Sequence, residues 1–198
     1  MMVRRLHRII GLALMLPFLA WAITGFVFFV KPGYAGAYEV LSPKMYNLDQ
    51  AISIQPDSGW LEFRGFKTVL GNHLIVRTMS GWIHLDPVTL QQRGLPSEAD
   101  LIRLVSDAFS ANPSRYGKIN TISGDSVTTD TGVEIKVDWS RLSFQQRGKD
   151  TARLDLLYRI HYLQWTGLKT LDKILGMVGI ALIIILTLLG ARLALRGA

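Results

Sequence analysis

Two long stretches of the sequence, residues 9–30 and 174–191, contain no Asp, Glu, Lys, Arg or His. At ~1.5 Å of rise per residue, a helix over the first stretch is about 33 Å long and one over the second is about 27 Å long. The hydrocarbon core of a bilayer is about 30 Å thick. The sequence therefore predicts two membrane-spanning helices with one folded region, roughly two-thirds of the chain, between them.

Basic residues flank both apolar stretches on the sides nearest the chain termini. Neither flank contains an acid, and the arginines are Arg4, Arg5, Arg8, Arg192 and Arg196. Membrane proteins keep short segments rich in Lys and Arg on the cytoplasmic side. We therefore expect a two-pass inner-membrane protein whose partner is the lipid bilayer, with both termini in the cytoplasm and the middle region on the other side.

A cleaved signal peptide is the competing interpretation of the N-terminus, because the small residues Ala35-Gly36-Ala37 resemble a cleavage site. The apolar run has 22 residues, whereas the apolar part of a signal peptide has about 7–15. An uncleaved helix ending near Lys31-Pro32-Gly33 is favoured, because proline lacks an amide donor and restricts the residue before it.

The charge and the cysteine content exclude several functions. The formal net charge is +7, but outside the five flanking arginines 17 basic residues face 15 acidic ones. The middle region is therefore nearly balanced, and no nucleic-acid partner is predicted. The chain has no cysteine, which excludes disulfides, iron–sulfur clusters and haem attached through cysteine. A redox cofactor would have to be held by histidine or without a covalent bond.

The middle region has the pattern of an α+β domain. Short runs typical of strands cover residues 66–69, 73–77, 82–85, 118–123, 132–139 and 142–146, with turn residues between them. One main helix is predicted after the N-cap residue Ser97, because Leu101, Leu104, Val105 and Phe109 recur at helical spacing. We expect this helix to pack on an antiparallel sheet.

A second amphipathic pattern precedes the last apolar stretch. One predicted helical face carries Leu154, Leu157, Tyr158, His161, Trp165 and Leu168. The chain then divides into 1–31 (cytoplasmic N-terminus and first transmembrane helix), 32–58 (linker), 59–150 (α+β domain), 151–172 (amphipathic pre-membrane helix) and 173–198 (second transmembrane helix and cytoplasmic C-terminus).

Four short motifs occur in a recognisable order: Arg5-Leu6-His7-Arg8, Ala22-Ile23-Thr24-Gly25, the turn Asp86-Pro87, and Arg159-Ile160-His161. This order resembles the PepSY-associated transmembrane helix family of bacterial inner-membrane proteins. The resemblance implies a periplasmic PepSY-like domain between the two helices. Larger members look like haem-containing reductases of ferric siderophores or partners of redox chains, with more helices than this chain. The soluble PepSY module is associated with the inhibition or regulation of proteases.

The resemblance suggests His7 and His161 as ligands of a haem b iron. One chain cannot hold a single haem between them, because His7 is expected at the cytoplasmic end of the first helix and His161 on the outer side. A parallel homodimer would pair each histidine with its own copy and form one haem site per leaflet. The alternatives remain open, because His7 could be a polar anchor among the arginines and His161 an interfacial or packing residue.

No catalytic residue is predicted. Hydrolase motifs and nucleotide-binding glycine loops are absent from the sequence, so electrons would have to come from a membrane or periplasmic redox partner. His73 and His84 lie on predicted strands without a partner at metal-ligand spacing, and we interpret them as surface or sheet residues. Whether the chain is an enzyme stays open between two hypotheses. One is a haem-binding homodimer that moves electrons in an iron-uptake or redox setting, and the other is an accessory or regulatory protein whose outer domain binds a partner protein.

Overall fold

The computed structural model describes residues 2–49 and 53–196. The chain forms two compact units. The first, called the helical unit below, combines Met1–Tyr34 with Thr151–Ala198, and the second, called the middle unit, is Ala35–Asp150. A folded region inserted between two terminal segments is the arrangement that the sequence predicts.

Two long helices build the helical unit. Helix α1 (Met2–Val30) and helix α6 (Lys169–Arg196) pack against each other. Each is long and apolar enough to cross a membrane, as the uncharged stretches predict. Most apolar side chains of α6 are exposed, among them Ile180, Ile184 and Leu188.

The connection into α6 differs from the prediction of one helix over residues 151–172. Helix α5 (Lys149–His161) ends at His161, and residues 162–168 are non-helical. The chain leaves the helix through Leu163, whose φ of 55° lies in the left-handed region. The Trp165 indole donates to the carbonyl of Ile160 across this turn at 3.0 Å. The prediction that Trp165 and Leu168 continue the same helical face is therefore wrong, because the helix ends at His161.

Among the described residues of the middle unit, seven strands form two separate antiparallel sheets, where the sequence predicts a single antiparallel sheet. The first sheet has the order β1 (Glu62–Thr68), β2 (Gly71–Thr78), β3 (Gly81–Leu85). The second has the order β4 (Ile119–Ser123), β5 (Ser126–Thr129), β6 (Glu134–Asp138), β7 (Ser143–Arg147). Within each sheet, every strand pairs with its neighbour in sequence, which is the meander expected of tight hairpin turns.

Helix α3 (Glu98–Phe109) is the main helix of the middle unit, as predicted. Its N-cap Ser97 accepts a hydrogen bond from the amide of Asp100. The predicted stripe of Leu101, Leu104, Val105 and Phe109 is buried. It packs in the same apolar clusters as Val127, Ile135 and Ile75 from the sheets. Two single-turn helices complete the fold, α2 (Tyr34–Ala37) and α4 (Pro113–Tyr116).

The two ends of the middle unit are joined by one polar network. The Arg115 guanidinium pairs with Asp150 and donates to the side-chain carbonyl of Gln146 at 2.7 and 3.0 Å. The Gln146 amide donates to the backbone carbonyls of Gly36 at 3.2 Å and Glu39 at 2.7 Å. The Arg115 side chain is only 10% exposed, so the first and last residues of the unit meet around a largely buried charge.

Candidate functional site

The strongest candidate site lies in the helical unit, where His161 at the end of α5 meets Thr24 on α1. The Thr24 hydroxyl oxygen is 2.8 Å from the carbonyl of Ala20 and 2.8 Å from Nδ1 of His161. The Trp21 carbonyl lies 3.1 Å from the same oxygen, and both carbonyls can only accept. When the single hydroxyl proton is donated to either carbonyl, the oxygen accepts from Nδ1–H of His161. In a neutral imidazole this leaves the lone pair on Nε2.

Aromatic rings hold the His161 imidazole in place. The Trp21 ring stacks on it with centroids 5.4 Å apart and an interplanar angle of 17°. Phe28 meets it edge-on at 5.0 Å. Gly25 lies beside the ring, and a Cβ at that position would make an ordinary contact of 3.9 Å with Cε1 of His161. The ring is therefore fixed by one hydrogen bond and by contacts on several sides.

A cavity of about 400 Å³ adjoins this histidine, and His161 forms part of its wall. The rest of the wall is almost entirely apolar, with Phe18 and Trp21 from α1 and Gly176 and Gly179 from α6. A Cβ on Gly176 would meet no atom within 4 Å. The volume lies in the range of about 300–1,000 Å³ typical of small-molecule sites. Among the described residues, no hydrogen-bond partner satisfies Nε2 of His161.

His7 lies at the other end of α1, and its ring faces α6. A Cβ on Gly190 would be 3.3 Å from Cε1 of His7, so only glycine leaves full room for the ring. Nδ1 of His7 is buried and has no hydrogen-bond partner within the described part of the chain. The neighbouring Arg4, Arg5 and Arg8 are exposed. The His7 ring therefore packs on α6, whereas an anchor at the headgroups would point outward with the arginines.

One chain does not bring His7 and His161 together. His161 sits beside Thr24, and from His7 to Thr24 the axis of α1 rises about 26 Å at ~1.5 Å per residue. Within residues 2–49 and 53–196, no group of three or more His, Cys, Asp or Glu side chains could hold a metal ion. The two histidines therefore lie towards opposite ends of α1.

Of the two alternatives for His73 and His84, surface or sheet residues, the second holds, because both lie in the first sheet and both are buried. They are 0% and 2% exposed. Nδ1 of His73 is 2.9 Å from Nε2 of His84. Nε2 of His73 is 2.7 Å from the Thr68 hydroxyl, and Nδ1 of His84 donates to the carbonyl of Trp139 at 3.0 Å. The two rings form a buried pair in contact, and Nδ1 of His73 also lies 2.7 Å from Nη1 of Arg93, which can only donate.

Burial is the main reason why the pKa values of both histidines lie below the usual value. Burial, and after it the positive charge of Arg93, lower the pKa of His73 to about 3 and that of His84 to about 4. Both rings are therefore neutral at pH 7. The signal that sequence reasoning missed is the Ser80-Gly81 turn. It pairs Ile75 with His84, which places His73 diagonally across the same face of the hairpin.

Comparisons with known protein families, with curated proteins and with solved structures gave no match. The class of protein is therefore defined by the fold and the sites alone. It has a pair of long apolar helices with a histidine-lined cavity, and an α+β unit of two antiparallel sheets inserted between them.

Proposed function

We propose that this chain is a two-pass protein of the bacterial inner membrane, related to the PepSY-associated transmembrane helix family. Both termini lie in the cytoplasm and the middle unit lies in the periplasm. Support comes from the length and hydropathy of α1 and α6, from the exposed apolar side chains of α6, and from the arginines next to the chain termini. A lipid bilayer would cover these apolar surfaces.

In this proposal His161 is a ligand of haem b. The observation that carries it is the Thr24–His161 hydrogen bond, which leaves the lone pair on Nε2 of a histidine that lines an apolar cavity. Histidines that bind metals usually donate their other ring nitrogen in this way, which fixes the tautomer and the ring. When bound, haem would supply a one-electron iron couple. The aromatic walls from Trp21 and Phe18 suit a flat apolar group and exclude water.

A homodimer of parallel chains completes the proposal. Each chain offers His161 at one end of its helix pair and His7 at the other. A second copy would supply the matching imidazole at each level and form one haem site per leaflet. Such a dimer would pass electrons from a membrane redox partner to a periplasmic acceptor, in an iron-uptake or redox setting.

The haem proposal is tested by the reduced-minus-oxidised absorption spectrum of the detergent-purified full chain, produced with ample haem. We expect a b-type spectrum with two haems per dimer by pyridine haemochrome. His161→Ala and His7→Ala should each remove one of the two sites. A colourless protein that is folded and unchanged by both substitutions would contradict the proposal. The second hypothesis, an anchored accessory protein whose periplasmic unit binds a partner, would then stand in its place.

The orientation is tested separately, with reporter enzymes that work on only one side of the membrane. A reporter fused after Ala198 should be active in the cytoplasm, and one inserted next to Asp57 should be active in the periplasm. The opposite pair of results would contradict the proposed topology without bearing on haem binding.

A further inference from the structure

A second cavity, of about 440 Å³, lies entirely within the middle unit beside strand β3. Much of its wall consists of two indole rings, one guanidinium and one imidazole, which belong to Trp82, Trp139, Arg93 and His84. Trp139 is fixed, because its indole donates to the carbonyl of Gly94 at 2.8 Å and its ring lies 4.5 Å from the His84 ring. The cavity is therefore preformed by groups that hold one another.

The guanidinium of Arg93 is half-buried in this wall and has a fixed position. Its Nη1 donates to the backbone carbonyl of Asn72 at 3.1 Å and lies 2.7 Å from Nδ1 of His73. Among the described residues no carboxylate forms an ion pair with it, and none accepts from its Nε or Nη2. Arg93 lowers the pKa of Asp86, but that carboxylate is already hydrogen-bonded to the turn amides of Val88 and Thr89.

The wall of this cavity has one formal charge, that of Arg93, among its described lining residues. Burial keeps His84 neutral, as it does His73 behind it. A half-buried guanidinium without a carboxylate has charge-assisted donors that an anion entering the cavity can accept from. The site therefore offers a positive charge next to two indole rings, and the Trp82 ring also lies 5.3 Å from the guanidinium carbon of Arg64 and 5.8 Å from that of Arg141.

We propose that this cavity binds a small, flat, apolar carboxylate, with the carboxylate on Arg93 and the apolar part beside Trp82 and Trp139. Guanidinium presents parallel N–H donors that match a carboxylate, and indole rings stack on planar apolar groups. A cavity of about 440 Å³ suits a free small acid. This site lies in the middle unit and does not depend on the haem proposal.

The test uses the detergent-purified full chain and 2-naphthoate as the probe, with affinity measured by calorimetry. Arg93→Gln removes the charge and keeps a side chain that can donate to Asn72. We expect it to weaken binding by roughly ten-fold or more, since hydrogen bonds to a charged group contribute about 1.5–3 kcal/mol. Arg77→Gln is the matched control, because Arg77 lies on β2 with a half-exposed side chain, and it should bind like the wild type.

A second comparison uses only the wild-type protein, in case Arg93→Gln disturbs the fold as judged by thermal unfolding. The uncharged analogue 2-naphthalenemethanol should bind at least roughly ten-fold more weakly than 2-naphthoate. Equal affinities for the acid and the alcohol would overturn the proposal. So would the absence of any binding at millimolar probe, or unchanged binding in a folded Arg93→Gln protein.

Discussion

Thr24 and His161 are 137 positions apart in the sequence, and a hydrogen bond of 2.8 Å joins their side chains. Because the Thr24 hydroxyl proton goes to a backbone carbonyl, of Ala20 or of Trp21, this one bond decides which ring nitrogen of His161 carries its proton. A threonine in the middle of a helix commonly bonds only to its own backbone. Here the same hydroxyl also sets the chemistry of a histidine on another helix.

Thr24→Val should remove the hydrogen bond that sets the tautomer of His161 while keeping the shape of the side chain. Without the acceptor, Nδ1–H of His161 loses its partner, and we expect haem affinity to fall about 10–100-fold, the usual effect of losing such a supporting group. The measurement is a haem titration followed at the Soret band. In the haem-free protein, the ¹⁵N chemical shifts of His161 should report mostly the Nδ1-protonated tautomer in the wild type and a mixture of both tautomers in Thr24→Val.

Thr187→Val is the matched control for this substitution. Thr187 lies on α6, and its only hydrogen-bond partner in the described part of the chain is the carbonyl of Ile183, at 2.9 Å. It should leave both the titration and the His161 spectrum unchanged. Unchanged ¹⁵N shifts in Thr24→Val itself would contradict the tautomer assignment even if the protein binds no haem.

The buried His73–His84 pair should make the protein less stable as the pH falls below about 6.5. Their folded pKa values of about 3 and about 4 lie below the unfolded value near 6.5, so between these pH values the unfolded chain binds protons that the folded chain does not. The stabilisation is fully present above about pH 6.5 and is lost towards pH 4. Each group contributes a slope of up to ~1.4 kcal/mol per pH unit.

This pH dependence can be followed by urea unfolding of the full chain at pH 7.0, 6.0 and 5.0. Histidine C2–H resonances of both residues should not titrate across that range. His73→Gln should remove roughly half of the slope contributed by the pair. A free energy of unfolding that stays constant from pH 7 to pH 5 would contradict the prediction.

Gly117 should tolerate alanine far less well than Gly124 does. Both have a φ near +60°, which costs an alanine roughly 1 kcal/mol. At Gly117 a Cβ would also lie 2.0 Å from Oδ1 of Asp130, which accepts from the amide of Lys118, whereas at Gly124 it would meet no atom within 4 Å. We expect losses of about 2–4 kcal/mol for Gly117→Ala and about 1 kcal/mol for Gly124→Ala in urea unfolding. Equal losses would show that the overlap is relieved without cost.

Arg115→Ala should destabilise the protein much more than Arg141→Ala. Arg115 is 10% exposed and bonds to Asp150 and Gln146, whereas Arg141 is 57% exposed and lies 3.8 Å from Asp138. A partly buried charge with several hydrogen bonds contributes about 2–4 kcal/mol, and an exposed pair contributes about 0–1 kcal/mol. Thermal unfolding of the two variants measures the difference. Similar transition temperatures would contradict the structural importance of the Arg115 network.

The elements that local patterns determine were predictable from the sequence. The uncharged stretches predicted α1 and α6, because their length and composition alone decide them. The Ser97 cap and the stripe from Leu101 to Phe109 predicted α3 and its buried face. Alternation predicted β6, where Ile135 and Val137 are buried.

Features that depend on contacts between distant residues were not predictable in this way. The burial of His84 depends partly on Trp139, which is 55 positions away. The partner of His161 lies at the opposite end of the chain. Strand β5 was missed because Ser126–Thr129 contains one large apolar residue, Val127, and is held as a strand by its neighbours. The end of α5 was missed because Leu163, a good helix former, adopts a left-handed conformation there.

The network around Arg115 brings the first and last residues of the middle unit close together. A Cβ on Gly36 would be only 3.0 Å from Oδ2 of Asp150, so the chain enters and leaves this unit at almost the same point. A domain whose two ends lie close together can be inserted between two neighbouring residues of another protein without distorting that protein. Residues 35–150 should therefore accept circular permutation, with a short Gly-Ser link closing the old ends and new termini opened at an exposed hairpin turn.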